Sequence, residues 1–234
     1  MATNVMDSQI PLSSSAVDIE SEEGRSVNQE AVAKIREAWI LKQLAARQSE
    51  FTKFSSINIQ CATWNVNAKK LDFAGSPDPM GPWLFPDSDA GAGHPDIVAV
   101  GFQEIVDLNA VNVAVDSKAA QRSAVWQDQI HKTLNARTPY VLVAEVHLVG
   151  MLLCVFALDK HKASVSRVHT ATVGVGVMGM MGNKGGVCVR MQIYDSTVCF
   201  VCSHLAAHRE NVDGRNADFA SIVAKTSFEI GKEA

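Results

Sequence analysis

The chain has 234 residues, of which 47% are hydrophobic and 20% charged. Those proportions fit one folded domain with a tail and exclude a collagen-like, coiled-coil or wholly disordered chain. The net charge of −4, from 21 basic and 25 acidic residues, argues against a protein held on nucleic acid by bulk electrostatics but leaves room for a local basic pocket.

Met1–Pro11 carries neither a basic segment nor a long apolar core, and the apolar run that includes Gly150–Leu158 is too short to cross a bilayer. Neither a secretory signal nor a membrane anchor is expected. Residues 1–27, with Ser13–Ser15 and the acidic stretch Asp18–Glu23, have little to bury and read as a disordered tail. Residues 28–50 read as an N-terminal helix. Val32, Ile35, Trp39, Ile40 and Leu44 form its stripe, suited to packing on a domain edge or to binding a partner. Residues 51–234 read as the main domain.

Within it, Ile57, Ile59, Cys61 and Thr63 alternate with Asn58, Gln60 and Ala62, which predicts a strand. Residues 74–95 are rich in Pro and Gly and read as loop. Ile97–Phe102 reads as a buried strand, and Ser117–Ala136 as a helix burying Ala119, Trp126, Ile130 and Leu134. Tyr140–Leu148 and Gly150–Leu158 read as adjacent strands, followed by candidates at Val165–Val177, Val187–Ile193 and Thr197–Cys202, and a closing helix at Asp218–Glu229. The five cysteines, Cys61, Cys154, Cys188, Cys199 and Cys202, fall in apolar runs and are expected as reduced, buried thiols in a cytosolic setting. Many strands with few helices imply a layered α/β domain, helices outside and sheets inside.

Four polar clusters stand at the ends of these strands, where sheet proteins place sites. In Thr63-Trp64-Asn65-Val66-Asn67 the two asparagines point to one side. They could ligate a hard cation or form an Asx turn. Glu104 ends an apolar run, where a carboxylate needs a salt bridge or a metal. Asn183 and Lys184, between glycines, could cradle an anion or sit in a plain hairpin turn. His204 and His208, followed by Arg209, Arg215 and Asn216, point to an anionic ligand more than a lone core histidine would.

Together, Thr63–Asn67, Pro95–Glu104, Gly182–Gly186, Ser203–His208 and Arg215–Asp218 resemble, in order and spacing, the inositol polyphosphate 5-phosphatases, and most closely the oculocerebrorenal, type II-like group. The resemblance implies a deoxyribonuclease-like four-layer α/β sandwich. It implies Mg²⁺-dependent hydrolysis of the 5-phosphate of phosphoinositides or inositol polyphosphates, a phosphoric monoester hydrolase that is cytoplasmic, peripheral contact with membranes being compatible with such a substrate. By that likeness Asn65 and Glu104 belong to the metal shell, and His204 bonds the scissile phosphate. Lys184 and Asn183 line the phosphate cradle. His208, Arg215 and Asn216 either support the loop or contact other substrate phosphates, and Asn67 orients a water or holds Glu104. Nucleic acid is not expected as a partner.

Two departures stand out. Ala68 occupies a place where the family usually has glycine. The family's later W-x-G-D-x-N and S-D-H segments do not occur, so 51–234 reads as the N-terminal part of the catalytic domain, with the second half of the sandwich missing. Half a sandwich is expected to leave Ile97–Phe102 or Met151–Leu158 poorly covered, and the isolated chain to hydrolyse inositol phosphates weakly or not at all. A non-catalytic phosphoinositide-binding fragment and a nucleic-acid phosphodiesterase of the same fold are the competing functions.

Overall fold

The structure, a computed structural model, describes residues 22–69, 77–86, 93–107, 116–175 and 183–229. The chain divides into two compact units, Met1–Ser55 and Ser56–Ala234.

The first unit holds helix α1 (Glu22–Ala46) and the single turn α2 (Gln48–Phe51). The helix starts at Glu22, inside the stretch whose composition suggests a tail, while residues 1–21 of that stretch lie outside the described residues. The absence of Gly and Pro between Ser26 and Leu44 allows it to run unbroken. Its stripe, Val32, Ile35, Trp39, Ile40 and Leu44, is exposed.

The second unit is built on seven strands in two sheets. Strands β1 (Ile59–Asn65), β2 (Ile97–Gln103), β3 (Tyr140–Leu148) and β4 (Met151–Leu158) form one sheet in the order β1-β2-β4-β3. Strands β5 (Val165–Gly174), β6 (Gly185–Ile193) and β7 (Ser196–His204) form the other, in chain order. β1 and β2 run parallel, with Asn65 paired to Gln103, so both strands end on the same side. β6 and β7 are antiparallel, and Gly185 pairs with His204, which brings the start of β6 level with the end of β7.

Alternation sorts each strand's side chains between two cores. Val98, Val100, Phe102, Leu152, Cys154 and Phe156 face outward from the first sheet, under helix α4 (Asp116–Asn135) and the short helix α3 (Gly81–Leu84). Ile97, Ala99, Met151, Leu153 and Val155 face inward, against Val187, Val189, Met191, Phe200 and Cys202 of the second sheet. Helix α5 (Val212–Lys225) covers the second sheet's outer face, where Ile222 packs over Gly186. The layers are therefore helix, sheet, sheet, helix.

Every residue of β2 and β4 is buried, contrary to the expectation of poor cover. The reason is position: β2 and β4 are the two central strands, with β7 across one face and the helices across the other. Phe102 and Phe156 alone, fully buried, contribute roughly 2–3 kcal/mol each. Exposure falls on the edge strand β1, whose residues are exposed except for Ala62 and the half-buried Gln60.

Other departures from the sequence reading have local causes. The loop at 74–95 contains α3, and Met80, Leu84 and Phe85 from it enter the core, because Asp78 Oδ1 accepts from the Gly81 N–H and starts the turn. The last helix begins at Val212 rather than near Asp218, because Asn211 caps it by accepting from Gly214 N–H. Of the cysteines, Cys154, Cys188 and Cys202 are buried, but Cys61 on the edge strand β1 is exposed, and so is Cys199, which lies on the face of β7 opposite Phe200 and Cys202. Cys199 and Cys202 have C-x-x-C spacing, but on a strand three residues apart means opposite faces.

Candidate active site

The ends of β1, β2 and β7 and the start of β6 meet at one rim, and each delivers one polar side chain. Asn65 closes β1, Glu104 follows β2, Lys184 precedes β6, and His204 closes β7. Asn65 Nδ2 donates to Glu104 Oε1 at 3.0 Å. Glu104 Oε1 lies 3.3 Å from His204 Nε2. Lys184 Nζ donates to His204 Nε2 at 2.6 Å. The four residues singled out from separate stretches of sequence thus form one continuous cluster.

Backbone strain collects at the same rim. Asn67, Ala68 and Glu104 are left-handed, with φ of 48°, 55° and 57°. For a non-glycine residue this conformation costs roughly 1–2 kcal/mol. It persists because the two loops hold each other: Val66 N–H donates to Gln103 O, Ala68 N–H to Glu104 O, and Asn67 N–H to Asn65 Oδ1. Ala68 thereby shows why glycine suits this position. Below the rim, Trp64 packs edge to face on Trp83 and Trp126, and Phe102 stacks at a tilt against Trp83 and Trp126, with centroids 4.6–6.1 Å apart.

The electrostatics follow from burial. His204 is only 7% exposed. Burial lowers its pKa, the Lys184 ammonium lowers it further, and Glu104 opposes both. Burial also lowers Lys184, against the pull of Glu104 and Asp218. An ammonium can only donate, so His204 Nε2 accepts and the ring is neutral, with its hydrogen on Nδ1. The approach of His204 to Glu104 is then a contact rather than an ion pair. His204 Nδ1 and Asn183 Oδ1 are buried without a hydrogen-bond partner among the described residues.

The remaining sequence candidates divide. Arg215 donates to the carbonyls of His208 and Arg209, so it supports the loop after β7. His208 is exposed at φ 74°, and Asn216 is exposed on α5. Neither joins the cluster. Gly179–Gly182 lie outside the described residues. Asp218, in the Arg215–Asp218 segment, accepts from Ala206 N–H at 2.7 Å and so holds the turn that follows His204. Its sequence signal was its spacing after Arg215, but its partner twelve residues back was not readable.

Among the described residues no group of three or more His, Cys, Asp and Glu could hold a metal, which excludes a closed thiolate or imidazole site there. One carboxylate beside an amide, at an open rim, fits a hard cation that keeps several waters.

The chain is similar to known proteins. Residues 62–234 match the model of Endonuclease/Exonuclease/phosphatase family 2. The rat protein Synaptojanin-2 is 37% identical over 204 residues, 82% of this chain and 13% of its own. The mouse type II inositol 1,4,5-trisphosphate 5-phosphatase is 33% identical over 83% of this chain and 18% of its own. The chain thus spans less than a fifth of these relatives. A crystal structure of the inositol polyphosphate 5-phosphatase domain of a synaptojanin, in complex with inositol (1,4)-bisphosphate and a calcium ion, superposes with a TM-score of 0.68 and 29% identity. The match covers 83% of this chain and 53% of that one. The fold is that domain's deoxyribonuclease-like α/β sandwich.

Proposed function

The chain belongs to Endonuclease/Exonuclease/phosphatase family 2, and from that premise we propose that it hydrolyses the 5-phosphate of phosphoinositides or soluble inositol polyphosphates with Mg²⁺. One observation carries the reading: Asn65, Glu104, Lys184 and His204 converge through contacts of 2.6–3.3 Å. Two solved or named relatives, one bound to inositol (1,4)-bisphosphate and one a trisphosphate 5-phosphatase, support the substrate class.

Glu104 and Asn65 would hold the cation. A bound Mg²⁺ supplies charge stabilisation at a phosphoryl oxygen and orients a water. Lys184 contributes a cation at the same rim. One of its three N–H groups is engaged by His204, and an ammonium has two more donors that can meet phosphate oxygens. Once an anion draws the ammonium away, His204 Nε2 takes up a proton from water and donates it to a phosphoryl oxygen. Groups held this way act by positioning and by meeting charge as it develops. A lipid-borne substrate would bring the chain to a membrane surface from the cytoplasm.

The test is phosphate release from inositol 1,4,5-trisphosphate with Mg²⁺, with the product identified. Release of the 5-phosphate, abolished by a chelator and lowered roughly 10²–10³-fold in His204→Ala, is expected. Release from another position, or nicking of duplex DNA in place of inositol phosphate hydrolysis, would overturn it.

A further inference from the structure

Beneath the cluster lies a second layer of side chains. Thr63 precedes Asn65 by two residues on the same face of β1, and Cys202 precedes His204 by two on the same face of β7. Gln103 immediately precedes Glu104. The Gln103 amide, on a residue 9% exposed, donates to Thr63 Oγ1 at 3.0 Å and to Cys202 Sγ at 3.2 Å. Both amide hydrogens are used, and one side chain ties β1, β2 and β7, strands of two different sheets.

The close approach is built in on both sides. A Cβ at Gly101 would stand 2.8 Å from Cys202 Sγ, so the bare glycine lets β7 come down onto β2. Burial pushes the Cys202 thiol up to about 11, which keeps it neutral and able to accept. An apolar residue at 103 would fill this space without the desolvation cost of an amide. What the amide adds is direction, and its two bonds run to the residues beneath Asn65 and beneath His204.

We propose that Gln103 is a positioning residue, whose paired bonds to Thr63 and Cys202 set the separation between Asn65–Glu104 on one sheet and His204 on the other. The inference rests on the reading of Asn65 and Glu104 as cation ligands. It concerns neither of them directly.

The test is Mn²⁺ binding to the full chain, followed by electron paramagnetic resonance, with thermal unfolding measured in parallel. Gln103→Met keeps volume but has no donors, and is expected to weaken Mn²⁺ about tenfold. Thr63→Val is expected to weaken it about threefold, whereas Thr63→Ser, which keeps the hydroxyl, binds as the wild type does. Val189→Ala truncates the core of β6 and is expected to lower thermal stability without changing Mn²⁺ affinity. Wild-type affinity in Gln103→Met, or equal weakening in Val189→Ala, overturns the positioning role. If Gln103→Met does not fold, the two Thr63 variants decide, and equal affinities in them overturn it. Glu104→Gln separates the two readings. Loss of Mn²⁺ there beside unchanged Gln103→Met removes only the positioning role, while binding that survives Glu104→Gln removes the cation site as well.

Discussion

β2 carries a carboxylate at each end, and the two ends are built from the same residue types to opposite effect. At its start Asp96 meets His161 and Lys160; after its finish Glu104 meets His204, to which Lys184 is bonded. Asp96 Oδ2 accepts from Asn58 N–H at 2.9 Å, and Oδ1 takes His161 Nε2 and Lys160 Nζ, each at 2.7 Å. His161 Nδ1 is bonded in turn to the Tyr194 hydroxyl. At the other end the histidine Nδ1 has no partner among the described residues, the carboxylate sits on a left-handed backbone, and the lysine bonds the imidazole. A carboxylate–histidine–lysine group closes on itself at the start of β2 and sits on a strained backbone after its finish, where the proposed site lies.

Exchanging charge for amide at each end breaks the comparison most directly. Glu104→Gln is expected to lower inositol phosphate hydrolysis roughly a hundredfold or more while leaving thermal stability nearly unchanged. Asp96→Asn should do the reverse, costing roughly 2 kcal/mol of stability by denaturant unfolding, with activity per folded molecule retained. If both variants lost stability and neither lost activity, the two ends would not differ in kind.

Acid sharpens the contrast. Burial would raise Asp96, but Lys160, the Asn58 N–H and His161 outweigh it and lower the carboxyl from 3.8 to about 2. A depressed carboxylate stabilises the fold above its ordinary pKa, and that stability is lost as pH falls from near 4 through about 2. Denaturant unfolding should show this loss in the wild type and a flatter acid limb in Asp96→Asn. The lowered His204 acts at higher pH. Its neutral form stabilises the metal-free fold fully above the usual histidine pKa, and stability declines as pH drops below that, a slope that His204→Gln should reduce.

The smallest effect lies in the strain itself. Ala68→Gly should stabilise by up to about 1 kcal/mol, since glycine accepts a positive φ at no steric cost but gains freedom when unfolded. Loss of stability in calorimetry would show that the methyl group of Ala68 makes contacts outweighing its strain.

Much of the site was legible because its residues end strands. Asn65, Glu104, Lys184 and His204 each stand where an apolar run gives way to a polar group, a signal contained in the sequence next to them. The lock at the other end was not. His161 lies in a short 3-10 turn (Asp159–Ser164), and nothing around it points to Asp96, 65 positions earlier, or to Tyr194. Arg215 showed the same limit: its charge suggested phosphate, but helix α5 begins early enough to aim it at two backbone carbonyls.

The order of apolar and polar residues by itself determined the strands of both sheets, the buried face of α4 and the four polar groups at the rim, because periodicity and strand ends are local properties. Only the tertiary structure decided that β2 and β4 would be central and fully covered, that Glu104 would be left-handed, and that Gln103 would bridge two sheets. Those outcomes depend on register and stacking between strands far apart in the chain, and a hydrogen bond between such strands leaves no trace in the residues beside either partner.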